Sequence, residues 1–236
     1  MMFTSFDGAD LLLILKGAFV TIQISALAVV LGGAVGVLSG LMAVSPWPVL
    51  RWLSAIWVSA IRGVPVLLII FFVYFGLPLL SPGSNVPDYW AAVTALTIFA
   101  SAYISEIVRG SIAALPRGQM EAASALGLSW SRTMFSVILP QASRIMVPPG
   151  VGFLVVLIKD SSLVAVIGLI ELTRAGNIVA SQTGQPILSY LVVGAFYFAI
   201  CFGLSVLGRR YERRLNIRVE TPEVSDILLP TQGVSK

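Results

Sequence analysis

Lys159 and Asp160, followed by Ser161 and Ser162, interrupt an otherwise apolar stretch from Ile145 to Ile170. An ionisable side chain in hydrocarbon costs about 2.5–3.5 kcal/mol on insertion scales, so such residues mark a place that solute or protons visit, or a pair that neutralises itself while locking two helices together. Both readings stand on the residues alone. Glu106 and Arg109 are three apart and can pair along one helix face, which suits a gating or structural pair. Thr97, Ser101 and Tyr103 put hydroxyls in the same segment. They are candidates to line a mid-membrane cavity together with the Lys159 to Ser162 patch, although hydroxyls in membrane helices also bond their own backbone. Arg62 reads as an anchor of its span at the inner interface.

The remaining inventory excludes most chemistry. There is no His, and the single Cys201 lies in an apolar run, so His-based triads, disulfide frameworks and cysteine metal sites are not available. A phosphate-binding loop needs Gly-x-x-x-x-Gly-Lys followed by Ser or Thr. The three lysines are Lys16, Lys159 and Lys236, and none follows a glycine. No catalytic residue, no metal site and no cofactor are expected in this chain, and nothing in it points to nucleic acid.

The elements that hold these side chains are membrane helices. Of 236 residues, 57% are hydrophobic and 11% charged, against about 25% charged in an ordinary soluble domain. Gly17 to Leu50 is uncharged for 34 residues and Ile187 to Gly208 for 22, and each exceeds the roughly 20 residues a helix needs to cross. The first run is no cleaved signal peptide, because Asp7 and Asp10 replace a basic start and the run is too long. Five spans are expected at about 17–42, 63–80, 90–108, 145–168 and 188–208, within a single domain over 1–236. Ser45-Pro46-Trp47-Pro48 and Ser81-Pro82-Gly83-Ser84-Asn85 are the early breakers.

The net charge of +4 matters less than its placement. With the N-terminus outside and the C-terminus in the cytoplasm, the inner side receives Arg51, Arg62, Arg109, Arg117, Arg132, Arg144, Arg209, Arg210, Arg213, Arg214, Arg218 and Lys236. That is twelve of the fifteen basic residues, as the inside-positive bias requires. The basic tail 209–236 faces anionic membrane lipid. Gly32, Gly33, Gly36 and Gly40 repeat a small-residue spacing that admits a second helix at close range, in this chain or another.

The inner segment 110–144 is too polar to span and too apolar for a linker. Glu121 to Leu126 are good helix formers, and Gly127 is a natural stop. Ser129 can cap a second helix that Pro140 ends. Met120, Ala123 and Leu126 fall on one face at helical spacing. Such a hairpin suits a socket on a partner and equally an amphipathic seat on lipid.

Glu121-Ala122-Ala123, three residues, Gly127, nine residues, then Val137-Ile138-Leu139-Pro140 resembles the EAA loop of permease subunits in bacterial ATP-binding cassette importers. The family usually has Ile at the position of Val137. Ile61-Arg62-Gly63-Val64-Pro65, Phe71 to Pro78, Ala102 to Gly110 and Ile158 to Leu163 extend the resemblance, in order, to the polar amino acid branch over about residues 10–215. It implies an all-α membrane protein of five transmembrane helices with a cytoplasmic coupling-helix loop, the MetI-like importer permease fold. It implies a bacterial inner-membrane location and three kinds of partner: a second permease subunit in a homodimer or heterodimer, an extracytoplasmic amino-acid-binding protein, and a separate cytoplasmic ATPase that binds ATP and Mg. Glu121, Ala122, Ala123, Leu126, Gly127, Leu139 and Pro140 would then couple to that ATPase. The alternatives are an ATP-independent channel or ion-coupled carrier for small polar solutes, and a membrane-embedded enzyme with a thin inventory of reactive groups.

Overall fold

The computed structural model describes residues 6–80 and 86–214, and among these it is helical with no strand. The breaker at 81–85 and the tail beyond Arg214, with Arg218 and Lys236, lie outside the described residues.

Helix α1 spans Gly8–Ala43, about 54 Å at 1.5 Å per residue and longer than the hydrocarbon core. It starts well before residue 17 because Asp7 and Asp10 form a capping box. The Asp7 carboxylate accepts from the N–H groups of Ala9 at 2.8 Å and Asp10 at 3.1 Å, while Asp10 accepts from the Asp7 N–H at 3.1 Å. Asp7 and Asp10 are thus a helix start. Helix α2 (Pro48–Arg62) follows Pro46 and Pro48 and ends at Arg62. The chain then bends by 98° into α3 (Val66–Phe71), a π-helical turn (Phe72–Gly76) and α4 (Leu77–Leu80). Where one helix is expected over 63–80, the chain forms α3, the wide turn and α4, and these meet the length and composition of a crossing only when counted together with α2. Pro65 explains the corner, since it disfavours helix at Val64.

Helix α5 (Asp88–Ala113) runs parallel to α1 and in close contact with it. A Cβ on Gly32, Gly36 or Gly40 would come within 2.8, 2.7 and 2.6 Å of Ala100, the Ser101 carbonyl and Val108, whereas one on Gly33 would meet nothing nearer than 4.0 Å. Three of the four glycines thus form the interface, and the partner helix lies in this chain. Where α2 crosses the pair, the Ser39 hydroxyl bonds those of Ser54 and Ser105, each at 3.0 Å, and the Ser54 hydroxyl donates to the Ser39 carbonyl at 2.8 Å. These buried hydroxyls join three helices.

Helix α6 (Arg117–Ala125) and α7 (Trp130–Thr133) form the expected hairpin. A π-helical turn (Met134–Ile138) then leads without interruption into α8 (Leu139–Asp160). Pro140 therefore does not end the hairpin, because the wide turn absorbs it. The Leu139 N–H reaches back to the Met134 carbonyl, and Pro140 sits in the first turn of α8, where no N–H is needed. Pro78 stands in the same relation to the turn Phe72–Gly76, two residues beyond its end. Pro148 and Pro149 lie inside α8 and do not break it; membrane helices tolerate proline where neighbours or local turns re-satisfy the backbone.

Beyond Asp160 come a 3₁₀ stretch (Ser161–Ile167), Gly168 at φ 97°, α9 (Leu172–Thr183), Gly184 at φ 65° and α10 (Pro186–Arg214). Four helical stretches are long and apolar enough to cross a membrane, and five if the bent pair counts as one. Their main core is Ile24, Leu96, Phe99, Leu157 and their neighbours from α1, α3, α5 and α8.

Candidate functional site

Arg62 ends α2 at the 98° corner, and Glu106 and Arg109 lie two turns or less from the end of α5. The Arg109 guanidinium donates to both Glu106 carboxylate oxygens at 2.9 Å, and Arg62 Nη1 stands 3.4 Å from the same carboxylate. The Arg62 guanidinium also lies 5.3 Å from the centre of the Tyr103 ring, a cation–π distance. The expected pair is therefore a triad. Arg62, expected as an interface anchor, also faces this acid on another helix. The signal was faint: its partner is 44 residues away, beyond helical spacing.

The candidate hydroxyls make separate contacts. Ser101 accepts from the Trp57 indole N–H at 3.1 Å and donates to the Ile98 carbonyl at 2.7 Å. Tyr103 stacks against Phe153 of α8 at 5.4 Å and packs on Phe99. The Thr97 hydroxyl is buried with no hydrogen-bond partner among the described residues. Lys159 and Asp160 lie at the end of α8 rather than within a continuing helix. Lys159 is exposed and Asp160 half-buried, and neither makes an ion pair among the described residues. Phe153, Leu157 and Asp160 fall on one face of α8. Asp160 therefore stands on the face that packs against α5, two turns beyond the Phe153–Tyr103 stack. The Ser161 hydroxyl is buried against the Ile158 carbonyl at 2.8 Å, and Ser162 is half-buried.

On the hairpin, α6 ends at Ala125 with Gly127 at φ 72°, where glycine is favoured. The Leu128 N–H closes a 3.1 Å bond to the Ala123 carbonyl, the signature of a Schellman stop. Ala123 is buried, and Met120 packs against Val108, Ile112, Met134, Ile138 and Ala142. Leu126 does not join them. It lies beyond the last helical turn and is 80% exposed. Glu121 and Ala122 are exposed on the outer side, as is Pro140, with Leu139 half-buried. Ser129 takes the N-cap position of α7 but its hydroxyl makes no capping bond. The hairpin is tied to the following span by Gln141, whose amide donates to Gln119 at 3.1 Å and to the Val137 carbonyl at 2.8 Å.

Glu171 is a further buried acid, with no exposed surface. It caps α9, accepting from the N–H groups of Thr173 at 2.9 Å and Arg174 at 2.8 Å. It also accepts from the hydroxyls of Tyr197 at 3.0 Å and Thr21 at 3.3 Å. Burial pushes its carboxyl above the ordinary Glu range, and these donors oppose the shift. An acid just ahead of Leu-Thr-Arg was the available signal, an N-cap in a segment otherwise read as a connection.

The chain matches the family of binding-protein-dependent transport system inner membrane components over residues 18–217. It belongs to that family. The probable glutamine ABC transporter permease protein GlnP of Bacillus subtilis is 40% identical over 203 residues, covering 84% of this chain and 91% of the relative. The arginine transport system permease protein ArtQ of the same organism is 35% identical, covering 86% and 92%. A crystal structure of an amino acid ABC transporter with histidines superposes with TM-score 0.81 at 33% identity, over 89% of this chain and all of that one. The inward-facing methionine transporter MetNI shares the fold, with TM-score 0.78 at 20% identity. This permease is thus a multi-pass inner-membrane transport subunit, all-α and MetI-like, and not an enzyme.

Proposed function

We infer that this permease forms, with a second permease subunit, the pathway through which polar or charged L-amino acids are imported, driven by a separate ATPase that binds ATP and Mg. An extracytoplasmic binding protein delivers the substrate, and the N-terminus lies outside with the C-terminus in the cytoplasm. The observation that carries this reading is the α6–α7 hairpin. It is fixed from within by Met120, Ala123 and Gln119, and it holds Glu121, Ala122 and Leu126 outward, which is the arrangement a docking unit requires. The amino acid substrate follows from relatives of near full-length coverage that are named for glutamine and arginine transport.

In this reading Glu121 to Gly127, Leu139 and Pro140 receive the ATPase. The half-buried Asp160, with Lys159, Ser161 and Ser162, faces the solute path together with Ser101, Tyr103 and Thr97. The Arg62–Glu106–Arg109 triad closes the end of α5. Reconstitution with the ATPase and binding protein tests it: Glu121→Lys abolishes ATP-driven uptake, and intact uptake in an assembled complex would refute the coupling role. Asp160→Ala lowers uptake while the ATPase stays bound; loss of assembly would instead assign Asp160 to helix locking. Uptake without any ATPase would favour a channel or carrier.

A further inference from the structure

A cavity of about 360 Å³ opens between the end of α1, the inner face of α2 and the last turns of α5. Its walls carry three guanidinium groups, Arg51, Arg62 and Arg109, and one carboxylate, Glu106. Glu106 neutralises at most one of the three. Arg109 spends two of its donors on Glu106, while Arg62 approaches it through Nη1 alone. Arg51 holds the carbonyls of Ser45 and Pro46 through Nη1 alone, at 3.1 and 3.2 Å. Two positive charges and several guanidinium N–H groups thus remain turned to an open cavity, with the exposed Ser59 beside them. Planar guanidinium forks match the oxygens of a phosphate or phosphodiester.

We propose that this cavity holds one phosphate-type oxyanion, supplied by the headgroup of an acidic phospholipid. Depth and surroundings favour the lipid over a soluble anion. The cavity lies within two turns of the ends of both α1 and α5, so its mouth stands where helices leave the hydrocarbon. Beside it, α2 turns 98° away from α3 and presents Trp47, Val49 and Trp52 outward, each at least 68% exposed, with Leu53 and Ile56 next to them. Tryptophan with aliphatic neighbours on such a helix seats it among headgroups and upper acyl chains. Arg51, Ala55, Ser59 and Arg62 take the opposite face of α2 from Val49, Leu53 and Ile56, so the helix lies at headgroup level with its polar face over the cavity.

The test uses the detergent-purified complex of this permease with its ATPase, stripped of lipid and exposed to equal amounts of phosphatidylglycerol and phosphatidylcholine before native mass spectrometry. One phosphatidylglycerol is retained per permease chain in preference to phosphatidylcholine. Arg51→Gln weakens retention about fivefold, as loss of roughly 1 kcal/mol of headgroup attraction per arginine requires. Ser59→Asp, which adds a negative charge at the mouth and removes no structural bond, weakens it as well. Arg174→Gln on α9, an exposed arginine away from the cavity, leaves it unchanged. Equal retention in wild type, Arg51→Gln and Ser59→Asp would overturn the proposal, as would loss confined to the Arg174 variant. In a second arm, radiolabelled inorganic phosphate is offered to the complex in pure phosphatidylcholine nanodiscs. Saturable binding abolished by Arg51→Gln, without phosphatidylglycerol retention in the first arm, would overturn the lipid source and leave a soluble oxyanion in its place. Failure of uptake would bear on the transport reading and not on this one.

Discussion

Glu171 shows how a single side chain can order a whole region. Four donors from three elements meet on its carboxylate, so the start of α9 is pinned to α1 through Thr21 and to α10 through Tyr197. Replacing it by Ala strands those donors in a buried place, at about 1–3 kcal/mol for each group left unsatisfied. Glu171→Ala should therefore lower the thermal unfolding midpoint in detergent sharply, and Tyr197→Phe by far less. No change in the Ala variant would show that water replaces the carboxylate. This residue was nearly invisible in the sequence because its partners lie 150 residues before it and 26 after it. Glu106–Arg109 was legible because the spacing of three lies within one turn; Arg62, the third member, was not.

At the scale of the element, the small-residue stripe of α1 was readable, and its owner was not. Spacing identifies a close-packing face, but only the fold shows that Thr97 to Val108 of α5 fill it. Gly36→Leu should destabilise the permease by about 1–3 kcal/mol, the usual cost of overpacking, while Gly33→Ala should be nearly neutral. Comparison of their unfolding midpoints checks the difference. Gly127 has another reason to be glycine, its positive φ. Gly127→Val should strain the stop of α6 at about 1–2 kcal/mol and lower ATP-driven uptake more than it lowers the midpoint, because the turn orients Glu121 and Leu126. Pro140 was misread for one reason: a rule for straight α-helix treats it as an end, and a π-turn supplies a way past it.

For the whole molecule, apolar runs and Lys/Arg placement revealed a membrane protein of about five crossings, and the ordered motifs indicated its kin. The surroundings of the candidate hydroxyls were less legible. Thr97, Ser101 and Tyr103 share a helix, yet the neighbours that decide their roles, Trp57 and Phe153, come from α2 and α8. The strut from Gln141 to Gln119 crosses from the hairpin to the fourth membrane segment. Gln141→Leu should leave assembly with the ATPase intact and reduce coupled uptake, read as more ATP hydrolysed per amino acid imported. An unchanged ratio would confine the strut to stability.

The two wide turns ahead of Pro78 and Pro140 have a consequence for register. Each holds one residue more than an α-turn would, and a residue advances a helix by about 100°. The hairpin face carrying Trp130 is thus set out of phase with α8 by roughly that angle, as though one step had been added to a spiral stair. Deleting Ser136 would remove the step and leave α8 where its core contacts hold it. The docking helices would then turn only by giving up the seat of Met120 on Val108 and Ile112, pointing Glu121 and Leu126 away from the direction they now face while every residue of the hairpin remained unchanged.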